Sequence, residues 1–241
     1  MSSPRIFTDQ PLIVGQTVTL DEQPSIHLLR VLRLGLGAPV RLFNGDGCEY
    51  SGTISTAGKK QAAVCLLEAS VADAIPPLRL HLGQVISKGD KMDFTIQKAT
   101  ELGVSQITPL FSERCDVRLK GERLDKKMEH WQKIAVSACE QSGRNRIPQV
   151  LPAVNLNDWY AQSDAELRLV LHPHNQQPLG QQQNPASVAL LVGPEGGLTD
   201  IEVAAGTTHG FQGLLLGPRI LRTETAALAA VSVLQFLWGD F

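Results

Sequence analysis

Two loops in the C-terminal third of the chain combine glycine, proline and charged residues just where apolar runs stop. Val188-Ala-Leu-Leu-Val192 enters Gly193-Pro194-Glu195-Gly196-Gly197, and Leu214-Leu-Leu216 enters Gly217-Pro218-Arg219-Ile220-Leu221-Arg222-Thr223-Glu224-Thr225. A third run, Leu167 to Leu171, enters His172-Pro173. Glycine removes the Cβ barrier, so main-chain N–H and C=O groups can approach a ligand closely. Proline stiffens a loop and holds it open. A phosphate-gripping nucleotide site does not fit: there is no G-x-x-x-x-G-K-[ST], Lys88-Gly89-Asp90-Lys91 does not substitute for it, and no G-x-G-x-x-G opens a helix after the first strand. Composition and spacing leave two readings open, an unknown ligand in an α/β fold or a pair of structural turns.

The elements that must hold these loops are read from the hydrophobic rhythm. After Pro76-Pro77, Leu78 to Leu82 predicts a buried strand. Asp90 is placed to cap a helix carrying Met92, Ile96, Ala99 and Leu102, and Gly103 to end it. Ile107 to Phe111 predicts a strand. Glu122 to Ser142 predicts a long amphipathic helix with Leu124, Met128, Trp131, Ile134, Ala135 and Ala138 on one side, closed by Gly143. The three apolar runs follow, then a last helix from about Thr225 to Leu237. Such alternation predicts an α/β fold with a mostly parallel sheet covered on both faces. In sheets of that kind ligands sit beyond the carboxyl ends of the strands. The glutamine-rich stretch Asn175 to Asn184 reads as a surface loop.

Before a composition break at Ala69 to Pro77 the rhythm is that of short strands: Val40 to Phe43, a turn at Asn44-Gly-Asp-Gly47, Thr53-Ile54, and Ala63 to Leu66. One helical stretch, Ser25 to Leu34, interrupts them, with Ser25 placed as its N-cap. A small β-barrel of roughly seventy residues is the expected outcome.

Bulk properties narrow the class. The chain has 241 residues, enough for one large domain or two smaller ones. Its formal net charge of −2 is not that of a globally basic nucleic-acid binder, although Lys88 to Arg146 holds twelve Lys and Arg against nine Asp and Glu, a local excess of three. Four well-separated cysteines with no C-x-x-C pair suit neither a zinc site nor a disulfide scaffold, and no metal is expected. No apolar run approaches the length of a membrane span, and the start Met-Ser-Ser-Pro-Arg lacks a secretory pattern, so a cytoplasmic protein is expected.

Taken in order, several motifs agree. Leu191-Val-Gly-Pro-Glu-Gly-Gly197 with Leu216-Gly-Pro-Arg-Ile-Leu-Arg-Thr-Glu-Thr-Ala226 resembles the SPOUT methyltransferases. His27-Leu-Leu-Arg-Val-Leu-Arg33, Lys88-Gly-Asp-Lys-Met-Asp93, Gln97-Lys-Ala-Thr-Glu-Leu-Gly103 and Cys139-Glu-Gln-Ser-Gly-Arg-Asn-Arg146 narrow the resemblance to the RsmE family of 16S ribosomal RNA (uracil-N3) methyltransferases. The resemblance covers nearly the whole chain. It implies a PUA-like, RNA-binding β-barrel over residues 1–72 and a SPOUT domain with a C-terminal trefoil knot over 73–241. It also implies S-adenosyl-L-methionine as cofactor, 16S rRNA in the 30S subunit as substrate, and a homodimer.

On this resemblance three loop mouths form the cofactor site: Leu171 and His172; Gly193, Pro194, Glu195 and Gly196; and Leu216, Gly217, Ile220 and Leu221. Leu216, Ile220 and Leu221 bracket the adenine, with plain core packing as the alternative for each leucine. His172 is a structural histidine or a catalytic group. Glu195 holds ribose hydroxyls or caps the following helix. Methylation at uracil N3 needs its proton lost, so a permanent cation beside the carbonyl oxygens would help. Arg222 is the first catalytic candidate, and Glu224 either accepts the proton or orients that arginine. Arg30, Arg33, Arg114, Arg118, Arg144 and Arg146 are the candidate RNA contacts. A tRNA or ribose 2′-O methyltransferase of the same fold, and a non-catalytic RNA-binding assembly factor, are the alternatives.

Overall fold

A computed structural model describes residues 3–172 and 184–241, so Pro173 and all but the end of the expected 175–184 loop lie outside the described residues. The chain divides into two compact units. The first comprises the residues up to Ile75 together with Cys139–Ile147, and the second comprises Pro76–Ala138 and Pro148–Phe241.

In the first unit, strands β1 (Arg5–Phe7), β2 (Thr17–Thr19), β3 (Pro39–Phe43), β4 (Tyr50–Ala57) and β5 (Ala62–Ala69) form a mixed five-stranded sheet in the order β1-β3-β4-β5-β2. Its core is Ile6, Val18, Leu28, Val40, Leu42, Ile54, Val64 and Leu66. In β4 the buried residues Tyr50, Gly52 and Ile54 fall on alternate positions, as a sheet with one covered face requires. The turn between β3 and β4 uses Gly45 and Gly47 at φ of 95° and 99°, conformations open to glycine. The expected helix is differently built. Helix α1 (Glu22–Ile26) starts after Asp21, three residues before the expected start, and continues as a π-helical turn, His27–Val31. Ser25 is not a cap. It is buried inside α1, where its hydroxyl donates to the Leu20 carbonyl and accepts from the Ala62 N–H, fastening α1 to the start of β5.

The Cys139–Ile147 segment is fastened to this sheet by Arg5, only 9% exposed. Its Nε donates to Glu49, Nη1 to the carbonyls of Cys139 and Glu140, and Nη2 to the carbonyl of Arg144 and the side chain of Asn145. The guanidinium also lies 4.6 Å from the centre of the Phe43 ring.

The second unit is an all-parallel sheet. Its strands are β6 (Arg79–Val85), β7 (Gln106–Phe111), β8 (Gln149–Val150), β9 (Val154–Asn155), β10 (Leu167–Leu171), β11 (Ser187–Val192) and β12 (Gln212–Leu214), in the order β12-β10-β11-β6-β7-β8, with β9 also on β7. Among the described residues five helices accompany them: α2 (Lys91–Glu101), α3 (Glu122–Ser142, whose residues from Cys139 on belong to the first unit), α4 (Leu156–Gln162), α5 (Asp200–Thr208) and α6 (Thr223–Trp238). Every residue of β11 is buried. Successive side chains point to opposite faces, so both faces of the sheet are covered there. Strand β12 stops at Leu214, two residues short of its apolar run. Among the described residues its sheet partner is β10, whose pairing ends at Leu171↔Leu214, and Leu215 and Leu216 lie beyond the strand in the loop.

A half-buried histidine in this sheet makes folding sensitive to acid. His81 on β6 shares its Nε2 between the Thr108 hydroxyl at 2.7 Å and the Trp159 indole N–H at 3.5 Å, an arrangement that suits a neutral ring with Nε2 as acceptor. Burial, with Arg79 nearby, pushes it down to about 4 against a weaker upward pull from Asp164. Between pH 6.5 and 4 the unfolded chain therefore holds more protons than the native one, and stability falls as pH falls through that window. A loss of about 3 kcal/mol is expected from wild type by denaturant titration at the two pH values, and most of it is absent in His81→Gln.

Candidate active site

Strands β10, β11 and β12 are parallel neighbours, so the segments that follow them leave the same edge of the sheet. Leu171 ends β10 and His172 follows it, and both are half-buried. After β11, Gly193 is half-buried, Pro194 buried, and Glu195 and Gly196 exposed. After β12, Leu216 and Leu221 are half-buried, whereas Gly217 and Ile220 are exposed, Ile220 to 99%. Core packing is thus excluded for Ile220, a large apolar side chain standing in solvent at the loop mouth. The structure brings all three predicted walls to one edge.

Local chemistry fixes the shape of these loops. A Cβ on Gly193 would sit 3.1 Å from Leu198 Cγ, tight enough to push the loop. Gly217 has φ of 74°, which a side chain would strain. The Gly193 carbonyl is already engaged, accepting from the Thr223 hydroxyl at 2.8 Å. Glu195 does not cap the following helix. Thr199 caps α5 and Glu202 returns the bond to the Thr199 N–H, a capping box. Glu195 instead pairs with Lys91 at 2.9 Å, at the start of α2. Burial opposes its charge, but Lys91 and main-chain N–H groups outweigh it and hold the carboxyl below its ordinary range. The Lys88–Asp93 motif therefore braces the Gly193–Gly197 loop.

Arg222 is the N-cap residue of α6, is exposed, and makes no side-chain cap bond. Glu224 lies two residues on. Its Oε2 is buried and has no hydrogen-bond partner among the described residues, and it forms no ion pair with Arg222 there, so it does not orient that arginine. An unpartnered buried carboxylate oxygen is costly and is the kind of group a bound molecule satisfies.

The candidate RNA arginines separate by unit. In the first, Arg30 donates to the Lys59 carbonyl, and Arg33 is held at φ of 55°, the one non-glycine residue at positive φ among those described. Arg146 donates to the Asp73 carbonyl, and the Arg144 carbonyl is gripped by Arg5. In the second, Arg114 donates to the Gly196 carbonyl at 3.1 Å and braces that loop, while Arg118 lines a cavity of about 610 Å³ with Phe111, Leu119 and Asp158. Lys91 was missed by sequence reasoning, as were Gln84 and Thr223. The i to i+3 threonine–glutamate spacing of Thr199 and Glu202 was a readable signal for the cap of α5.

The chain thus has one β-rich unit and one all-parallel sheet with glycine-bearing loops along one edge, and comparison with known proteins gives its class as an RNA methyltransferase. Residues 75–235 match the RNA methyltransferase domain family, and residues 21–65 match the RNA methyltransferase PUA domain. The chain belongs to the ribosomal RNA small subunit methyltransferase E family. It is 36% identical over 239 residues to the member from Buchnera aphidicola subsp. Schizaphis graminum, covering 98% of this chain and 97% of that one. The Bacillus subtilis member is 29% identical, covering 95% and 94%. Among solved structures, a ribosomal RNA small subunit methyltransferase E from Neisseria gonorrhoeae bound to S-adenosyl methionine superposes with a TM-score of 0.95 at 43% identity, and a methyltransferase from Legionella pneumophila in complex with SAM with a TM-score of 0.97 at 41%, each covering 100% of both chains.

Proposed function

We propose that this chain transfers the methyl group of S-adenosylmethionine to small-subunit (16S) ribosomal RNA, with N3 of a uridine as acceptor. The observation that carries the reading is the convergence of the β10, β11 and β12 loops on one sheet edge, in a chain akin over its full length to methyltransferases with that cofactor bound. The residues fit the cofactor. Gly217 leaves its main chain uncovered, and exposed Ile220 offers an apolar cover for an adenine. Leu171, His172, Gly193 to Gly196 and Leu216 to Leu221 would hold it. When bound, it supplies an electrophilic methyl group.

The protein's own task is then to make N3 a nucleophile. Arg222, permanently charged and exposed at the loop mouth, stabilises negative charge on the flanking carbonyl oxygens as the N3 proton leaves. Glu224 Oε2 is the nearest unengaged carboxylate in the sequence and accepts that proton. Arg30, Arg33, Arg144 and Arg146, with Arg118, hold the RNA, and the target base is presented unstacked. The reading includes residues 1–72 as the RNA-holding domain, a knot in the 73–241 domain, and a cytoplasmic enzyme; no described helix is long and apolar enough to cross a membrane.

A homodimer belongs to the same reading. Val233, Phe236 and Leu237 recur at i, i+3 and i+4 on α6 and are exposed, Phe236 to 74%. Phe236→Glu is expected to shift the protein to monomer in sedimentation equilibrium and to leave its folded helicity unchanged. A dimer of unchanged affinity would place the interface elsewhere.

The test of function is methyl transfer from labelled S-adenosylmethionine to 30S subunits lacking their native modification, followed by nucleoside mass analysis. N3-methyluridine is expected. Label on another nucleoside would overturn the substrate, and no label on subunits, ribosomal RNA or transfer RNA would overturn the reaction.

A further inference from the structure

Gln84, in β6, has a side chain that stability alone does not explain. It is fully buried, and its neighbours across the sheet are Val192 of β11 and Pro109 of β7. Its Nε2 donates to the Val85 carbonyl at 2.9 Å and to the Thr223 hydroxyl at 3.0 Å. The amide orientation is fixed by chemistry, because the Val85 carbonyl can only accept. Thr223 has one hydroxyl proton and directs it to the Gly193 carbonyl, so it must accept from Gln84. Gln84 Oε1 is left buried with no partner among the described residues. A buried amide with an unmet acceptor costs stability relative to a packed apolar side chain.

What the amide does accomplish is to join three chain segments that sequence keeps far apart. The tie Gln84–Thr223–Gly193 runs from the end of β6, through the residue directly after Arg222, to the first residue of the Gly193–Gly197 loop. We propose that Gln84 is a positioning residue for methyl transfer: through the Thr223 hydroxyl it fixes the separation of the β11 loop from the Arg222 end of the β12 loop. The proposal rests on the reading of those two loops as the cofactor site. Gln84 touches neither cofactor nor RNA in this role. It acts by holding two cofactor walls and the catalytic arginine in one register, and a glutamine is suited to it because its amide donates two hydrogens in a fixed plane.

The test compares Gln84→Leu, Thr223→Val, Thr223→Ser and the Gln84→Leu/Thr223→Val double variant. Four readouts are taken: thermal unfolding, S-adenosylmethionine affinity by calorimetry without RNA, turnover on 30S subunits, and amide hydrogen exchange of residues 215–223 in the cofactor-free protein. Gln84→Leu is expected to unfold at or above the wild-type temperature. It is also expected to bind the cofactor about tenfold more weakly and to exchange faster over residues 215–223. Thr223→Val is expected to match it, Thr223→Ser to stay near wild type, and the double variant to be no worse than either single one, since both cut the same tie. Wild-type cofactor affinity and exchange in Gln84→Leu would overturn the proposal. So would singles whose losses multiply, or a serine variant as damaged as the valine one. Because affinity and exchange are read without RNA, a wrong substrate assignment would leave these results standing. An absence of cofactor binding by the wild-type protein would instead remove the site reading beneath them.

Discussion

Alanine in place of Arg222 is expected to lower single-turnover methyl transfer on 30S subunits by about 10²–10³-fold, the usual consequence of removing one preorganised donor to a developing negative charge. The fold should not register the change. Arg222 is exposed, caps α6 through its main chain alone, and its side chain makes no cap bond, so the stability cost is within about 0.5 kcal/mol. Arg222→Lys retains the charge but not the planar fork, and is expected to recover only part of the rate. Cofactor affinity separates this effect from a damaged loop: it should stay within a few-fold of wild type in both variants. Wild-type turnover in Arg222→Ala would remove the arginine from the chemistry and leave Glu224 as the catalytic candidate at the α6 terminus.

The parts of the fold that were legible in the sequence are those whose signal is local and periodic. Helix α3 has the bounds its apolar spacing predicts, Glu122 to Ser142, and Gly143 follows it at φ of 87°. Strand β11 reads plainly because a strand buried on both faces is a continuous apolar run. Elements of two or three residues, such as β1, β2, β8 and β9, span too little chain to display a period. The start of α1 and the end of β12 were misplaced for a different reason: each is set by a partner distant in sequence, the β5 strand for Ser25 and the end of β10 for Leu214. The same limit applies to the site. The loop residues announce themselves by composition, but Lys91, Gln84 and Thr223 act through bonds that join positions 30 to 139 residues apart, and although Lys91 and Thr223 lie in recognisable motifs, no local pattern marks those bonds.

Arg5 is the sharpest instance, and its removal should produce the largest loss of stability of any substitution considered. In sequence it is one arginine beside an apolar pair, Ile6-Phe7. In the structure all of its N–H donors are engaged, on Glu49, Asn145 and the carbonyls of Cys139, Glu140 and Arg144, with only 9% of the residue exposed. Arg5→Ala removes one of the two guanidinium partners of half-buried Glu49, with Arg41 remaining at 3.0 Å, and leaves the Asn145 side chain and three main-chain carbonyls without this donor, for which a loss of about 3–5 kcal/mol is expected in denaturant unfolding of the protein. Lysine should not rescue it, since one ammonium cannot reach five acceptors arranged around a planar fork. Glu49→Gln separates charge from geometry: it keeps an acceptor oxygen for Arg5 and should cost clearly less than Arg5→Ala. Function should follow the clamp. The Cys139–Arg146 segment carries Arg144 and Arg146, and without Arg5 its main chain loses the bonds that seat it on the first unit. RNA affinity is therefore expected to fall about as far in Arg5→Ala as in an Arg144→Ala/Arg146→Ala variant, while cofactor affinity, which belongs to the second unit's loops, stays at the wild-type value. Equal loss of both affinities would mean that Arg5 supports the fold as a whole rather than the presentation of these arginines.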